Sequence, residues 1–336
     1  MGEATIRDVA RRAQVSIASV SRALNGLGNV RAETRERVVA AAEELGYVPH
    51  AGARSLSLAR AHTIGVVLPD LHGEFFSEIV RGMDREASRR GYLLILSNMH
   101  GADGEGAAAL RAMRGRVDGL LVMAPHVAPE ALEKALPPAL PALLINTPAP
   151  VADRPRLRLD NAAGAEAVAR HLLGTGRRRL AHIRGPEANI DAQERADGFR
   201  RAVEAVDPGA RGATIPGDFT EEAGEEAARR ILAGEVECDA VFAANDMMAI
   251  GCLHTLRSAG VDVPGQIAVA GFDDIPIARY LGLTTVRVHI AELGARAVIR
   301  LIDSLEGRED AGGDELHRPE LVVRSTTSPA ATRGTA

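Results

Sequence analysis

Residues 5–24 read TIRDVARRAQVSIASVSRAL, and two short helices are written into them. Thr5 places a side-chain oxygen where the first helix starts, with the carboxylate of Asp8 three residues on. Ile6, Val9, Ala10 and Ala13 then recur at helical spacing. Gln14-Val15 interrupts the pattern and Ser16 offers a second N-cap. A second helix is predicted from Ile17 to about Asn25, burying Val20 and Leu24, with Gly26 and Gly28 closing it. A third is expected from Ala32 to Leu45, with Val38, Val39, Ala42 and Leu45 inward and Gly46 just past its end. Three short helices, the first two separated by about three residues, form a helix-turn-helix pattern.

The outward face of the second helix decides whether such a bundle could meet DNA. It carries Ile17, Ala18, Ser19, Ser21 and Arg22, and no acidic residue. Short hydroxyls suit phosphates, small apolar groups suit thymine methyls, and a guanidinium can bond guanine bidentately. An ordinary solvated helix mixes charge signs. The charge distribution agrees: residues 1–60 hold nine arginines against six acidic residues, whereas the whole chain carries −5, so the rest carries −8. Lys134 is the sole lysine, a bias toward arginine that runs through the whole chain.

The stretches Thr5-Ile6-Arg7-Asp8-Val9-Ala10, Val15-Ser16, Val20-Ser21-Arg22, Asn25, Thr34-Arg35, Arg37-Val38 and Leu45-Gly46-Tyr47-Val48-Pro49 together resemble the N-terminal pattern of LacI/GalR-type repressors. The resemblance implies that Ile17, Ala18 and Arg22 read bases and that Ser16, Ser19 and Ser21 hold phosphates. Ser21 and Arg22 match the family motif directly, and Ile17 and Ala18 fall at its variable specificity positions. Thr5, Asn25, Asn29 and His50 complete the implied DNA-facing set. Gln14 departs from the glycine usual in the turn, at a cost of about 1 kcal/mol if the backbone there is left-handed. Residues 49–60, PHAGARSLSLAR, are too short for a stable isolated helix. Read from composition they are a flexible linker. The resemblance instead implies a hinge helix that forms on the minor groove, with Ala53 and Arg54 matching and Leu56 wedged between base steps. Gly52 and His50 depart from the family's usual residues.

From Thr63 onward strands and helices alternate. Ile64-Gly65-Val66-Val67-Leu68 is a buried parallel-type strand, followed by a helix from Glu74 to Arg90 and a strand from Tyr92 to Leu96. Helix Glu105–Arg114, strand Gly119–Met123, helix Pro129–Leu136 and strand Ala142–Ile145 complete a first lobe. The pattern restarts with helix Asn161–Leu173, strand Leu180–Ile183, helices Ala192–Ala205 and Thr220–Leu232, strand Ala240–Ala243, helix Met247–Ala259 and strand Ile267–Ala270. The fold class is therefore α/β: a helix-turn-helix head, a hinge, and two doubly wound parallel-sheet lobes, an architecture that resembles a periplasmic sugar-binding protein. The expected organisation is a head at 1–48, a hinge at 49–61, and an N-terminal effector-binding lobe at 62–160 with a return segment near 290–322. A C-terminal lobe at 161–289 and a flexible tail at 328–336 complete it. The tail lacks leucine heptads, so no tetramerising coiled coil is expected.

In open α/β sheets ligands bind beyond the carboxyl ends of strands. Those ends carry Pro69-Asp70 with Phe75-Phe76, then Asn146, Asp160-Asn161, Arg195, Asp218-Phe219, Asn245-Asp246 and Phe272-Asp273-Asp274. Four of the nine aromatic residues sit there. The resemblance places the effector at Phe75, Asn146, Arg195, Phe219, Asn245 and Asp273. Asp246 and Asp274 read better as a helix cap or loop carboxylate than as ligands. Arg195 and Asp273 suit the adjacent hydroxyls of a sugar, and a planar base held by Arg195 and stacked on Phe75 or Phe219 is the alternative.

Enzyme readings lack their motifs. There is no phosphate-binding Walker loop, no Gly-x-Ser-x-Gly elbow and no metal-spaced histidine pair, and Gly26-Leu27-Gly28 lacks a dinucleotide-site context. His171 and His182 read as structural or surface groups. Cys238 and Cys252, fourteen apart, fit neither a disulfide framework nor a zinc site. No apolar run approaches the roughly 18 residues of a membrane span, and the first residues do not form a secretory leader. The chain is thus expected to be a cytoplasmic, homodimeric regulator, and foremost a repressor. It would bind a palindromic double-stranded DNA operator, with no membrane partner and no cofactor or metal, under the control of a small effector, foremost a sugar. A transport-type solute-binding protein is the rival, opposed by the missing leader and the helix-turn-helix head.

Overall fold

The computed structural model describes residues 4–25, 30–47, 60–99, 105–207, 209, 211–308 and 313–328. The expected hinge residues His50, Ala53 and Leu56, together with Asn29 and the tail from 329, lie outside them.

The head has three helices, α1 (Ile6–Ala13), α2 (Ile17–Leu24) and α3 (Ala32–Glu44). Val9, Val20 and Val38 are fully buried at its centre, filled in by Ala10, Ala13, Ala23, Ala41 and Ala42. Val39, expected inward, is 39% exposed, because the interior stripe runs 38, 41, 42 and the next residue is turned away by about 100°. Leu24 and Leu45 are only half-buried. The turn after α1 puts Gln14 at φ 55 and ψ 46, the left-handed conformation glycine adopts freely. The Val15 N–H closes that turn onto Ala10 O at 3.0 Å.

The first lobe of the body is built from β1 (Thr63–Leu68), α4 (Glu74–Arg89), β2 (Leu93–Asn98), α5 (Glu105–Met113), β3 (Gly119–Met123), α6 (Pro129–Ala135), β4 (Ala142–Ile145) and β5 (Arg156–Leu159). The second begins with α7 (Asn161–Gly174), β6 (Arg179–Ile183), α8 (Ile190–Val206), β7 (Arg211–Ile215) and α9 (Glu221–Leu232). It continues through β8 (Ala240–Ala243), α10 (Asp246–Ser258), β9 (Ala268–Ala270), α11 (Ala278–Leu281) and β10 (Thr285–Arg287). Both sheets are parallel and share one winding, β2-β1-β3-β4 in the first lobe and β7-β6-β8-β9 in the second. The order reverses between β1 and β3 and between β6 and β8, and a crevice opens at such points.

β7 and β2 depart from expectation. β7 was not foreseen: it reads Arg-Gly-Ala-Thr-Ile at a sheet edge, with no apolar face to betray it. β2 runs to Asn98 rather than Leu96, and Tyr92 is a buried residue before it. As an edge strand it leaves Leu93 71% exposed. The chain returns to the first lobe through α12 (Ile290–Leu305), which packs on α4, and β11 (Asp314–His317), which pairs with β5. The chain then goes back once more. β12 (Glu320–Val322) pairs antiparallel with β10, and Thr326 O accepts from Val269 N–H at 3.0 Å. Three crossings therefore join the lobes.

Candidate functional site

On the head, α2 presents Ile17 at 46% exposure, with Ala18 and Arg22 also exposed and Ser19 and Ser21 half-buried. Several expected phosphate ligands already serve the helix ends. Ser16 Oγ accepts from Ser19 N–H at 3.1 Å and so caps α2, whose first turn holds no acidic residue. Asn25 Nδ2 donates to Ser21 Oγ at 3.3 Å. Thr5 gives its backbone N–H and its hydroxyl to Asp8 Oδ2, at 3.0 and 2.6 Å. Those bonds hold the Asp8 carboxyl below its ordinary range. The resulting α2 face carries one guanidinium and no carboxylate, beside a helix start whose dipole favours an anion.

In the body a cavity of about 270 Å³ opens at the crevice between the lobes. Arg195, on the second turn of α8, is buried there. Its Nε donates to Asn161 Oδ1 at 2.9 Å and Nη1 to Ala244 O at 2.6 Å, and its Cζ lies 3.9 Å above the centre of the Phe272 ring. Phe272, placed by sequence at the mouth, is instead a fully buried platform under that guanidinium. Asp273 follows β9 with φ 118, a strained backbone for a non-glycine residue. Its Oδ1 is 3.5 Å from Arg195 Nη1, close enough for ion pairing but without hydrogen-bond geometry, and that buried oxygen has no hydrogen-bond partner. Burial pushes its pKa up to about 7 against the pull of Arg195. Asp191, on the first turn of α8, is pushed to about 6 by the same cause, and it accepts from Asn161 Nδ2 at 2.8 Å.

The other expected residues divide. Phe75 and Phe219 line the cavity, as does Phe76, which meets Phe75 edge-on at 5.3 Å between centroids. The Phe219 ring fills the space left by Gly185, where a Cβ would stand 2.4 Å from it. Asn245 also lines the cavity, but Oδ1 caps α10 at Met248 N–H and Nδ2 donates to Phe219 O at 2.9 Å, so the amide chiefly positions the ring. Asn146 is not among the lining residues. It lies behind Asp191, donating to its carboxylate at 3.3 Å and accepting from Leu159 N–H at 2.9 Å. Asp246 is not the cap of α10, a place Asn245 takes. It is a fully buried staple bonded to Thr285 Oγ1 and Ile275 N–H. Asp274 is held by Arg287 and Arg324. Sequence reading missed Asp191, whose only signal is its place at a helix start after a strand.

The chain matches the family described as bacterial regulatory proteins, lacI family, over residues 5–50, and the periplasmic binding protein-like domain over residues 169–327. It is 33% identical over 331 residues to the HTH-type transcriptional repressor CytR of Escherichia coli (strain K12), covering 96% of each chain. It is 35% identical to the ribose operon repressor of the same organism, covering 89% of this chain and 92% of the other. A crystal structure of the lac repressor dimer bound to operator and an anti-inducer superposes with a TM-score of 0.86 at 28% identity, covering 97% of this chain and 99% of that one.

This chain belongs to the LacI family.

As a LacI-family protein it is a DNA-binding transcriptional regulator, whose partners are operator DNA and a small-molecule effector. The relatives named here are regulators rather than enzymes. Among the described residues no helix is long and apolar enough to cross a membrane.

Proposed function

We propose that this LacI-family regulator is a repressor that acts in the cytoplasm by binding alone, without catalysis, and that its effector is an uncharged sugar held in the crevice. The observation that carries the reading is the buried Asp273 Oδ1, an acceptor without a donor beside the Arg195 guanidinium. A pair of neighbouring hydroxyls satisfies both, one donating to Asp273 and one accepting from Arg195 Nη2. The wall also carries Asp70, Asp191 and Asp218, against which Arg195 is the lone guanidinium, so phosphate esters and carboxylates meet repulsion. Two comparisons point the same way: a solved relative is the regulator CelR in complex with cellobiose, and one curated relative is a ribose operon repressor. The three phenylalanine rings favour a nucleoside as the second reading.

In this reading Ile17, Ala18 and Arg22 meet bases and Ser16, Ser19 and Ser21 meet phosphates. The effector acts only by binding one lobe arrangement better than the other. A thermal-shift screen of sugars, sugar phosphates and nucleosides tests the reading, because a ligand selective for the folded state raises the melting temperature. A neutral sugar that stabilises wild type and loses its effect in Asp273→Asn and Arg195→Lys is the expected outcome. A hit that survives both changes, or a preference for the phosphorylated sugar, overturns it.

A further inference from the structure

The second lobe carries a groove that the effector crevice does not use. It has a volume of about 620 Å³ and runs between α8 and the edge strand β7. Its inner wall holds His182 and Arg184, two residues apart and so on one face of the sheet. His182 is 4% exposed, with its ring stacked between Phe199 and Phe242 at centroid distances of 5.4 and 4.8 Å. Its Nδ1 lies 2.9 Å from Phe242 O. A carbonyl only accepts, so Nδ1 carries the proton, and burial keeps the ring neutral by pushing its pKa down to about 4. Nε2 is left as a buried lone pair with no hydrogen-bond partner.

Arg184 presents the complementary deficit. Its Nε–H is buried and unpartnered, and no ion pair joins its guanidinium among the described residues. Arg200 on the opposite wall is already held by Asp197 and Glu204, at 3.2 and 3.3 Å. Gly212 on β7 lines the floor and faces open space, since a Cβ there would meet nothing within 4 Å. Buried polar groups are normally paired, so an acceptor and a donor left unpaired just beneath one wall mark contacts that something else supplies.

We propose that this groove is a second small-molecule site for a compound with two neighbouring oxygens. A hydroxyl of that compound donates to His182 Nε2, and the adjacent oxygen accepts from Arg184 Nε–H. Polyols and hydroxycarboxylates both carry that pair. The helix α8 that walls the groove also brings Asp191 and Arg195 to the crevice, so the two ligands bear on one element.

The full chain carrying Asp273→Asn, which impairs the crevice, is titrated with erythritol and separately with glycerate. Calorimetry reads affinity, and the ¹⁵N resonance of His182 Nε2 reads the new hydrogen bond. One or both probes should bind and shift that resonance. Affinity should fall about tenfold or more on adding Arg184→Met, which removes the donor, or Gly212→Leu, which fills the groove from an open position. Binding of erythritol alone assigns a polyol, and of glycerate alone a hydroxycarboxylate. If neither probe moves the resonance, or binding is unchanged in both variants, the groove holds water and the proposal fails.

Discussion

Asp273 shows how one residue ties stability to binding. Its carboxyl is raised from the ordinary 3.8 to about 7, so the folded chain keeps a proton there that the unfolded chain releases. The folded state binds more protons across that window, and stability therefore falls as pH rises through it. Asp191 adds to the same slope over the lower part, and the two titrate as a coupled pair around Arg195. Ligand-free Asp273→Asn should thus melt higher than wild type at about pH 8, by about 2–4 °C per kcal/mol gained, and lose that advantage near pH 5. Effector affinity should run the opposite way, because a hydroxyl donates best to the ionised carboxylate: wild type weakens as pH drops below about 7, and Asp273→Asn is weaker throughout and flat with pH. Calorimetric titration across that range checks both. A flat wild-type profile would remove Asp273 from the contact.

At the scale of the element, α2 separates two jobs that its sequence mixes. Ser16 caps it and Ser21 is tied to Asn25, whereas Arg22 projects into solvent with no acidic neighbour on the helix. Arg22→Ala should cost about 1–3 kcal/mol of operator binding and relax preference at one position in each half-site, which a binding assay against a substituted operator series would read. A loss equal on specific and random DNA, with a shallower salt dependence, would make Arg22 a phosphate contact instead. Helix α8 is the corresponding element of the body. Its first two turns hold Asp191 and Arg195 in the crevice, while Asn189 caps it through Ala192 N–H at 3.2 Å. The side chains that bear on the ligand are thus fixed by a helix start rather than by a mobile loop.

At the scale of the whole molecule, β2 stands out. It is the edge of the first sheet, and Leu93, Ile95 and Leu96 are exposed on it. An exposed apolar edge invites association, and two heads related by a two-fold axis would read a palindrome. The expected homodimer makes a second copy of this chain the partner to test at that edge. Leu93→Glu should shift the protein from dimer to monomer in light scattering and weaken operator binding more than effector binding. If the variant remains dimeric, the interface lies elsewhere.

Local chemistry determined much of this protein. The Thr5–Asp8 box, the Ser16 cap and the 3.6-residue spacing of small apolar residues specify the three helices of the head, because each depends on neighbours within a turn. Alternating buried strands and helices likewise specify two doubly wound lobes, and the strand ends announce Arg195, Asp273, Phe75 and Phe219. What sequence could not supply was direction across long separations. Edge strands β2 and β7 lack the two-sided burial that makes a central strand legible, so one was misbounded and the other missed. Asn146 and Asp191 stand 45 residues apart, and only the packed lobes bring them into contact. Packing also turned Phe272 from the mouth into the floor beneath Arg195. Burial left Asp273 Oδ1 and His182 Nε2 without partners, a property of the folded interior that no spacing of residues encodes.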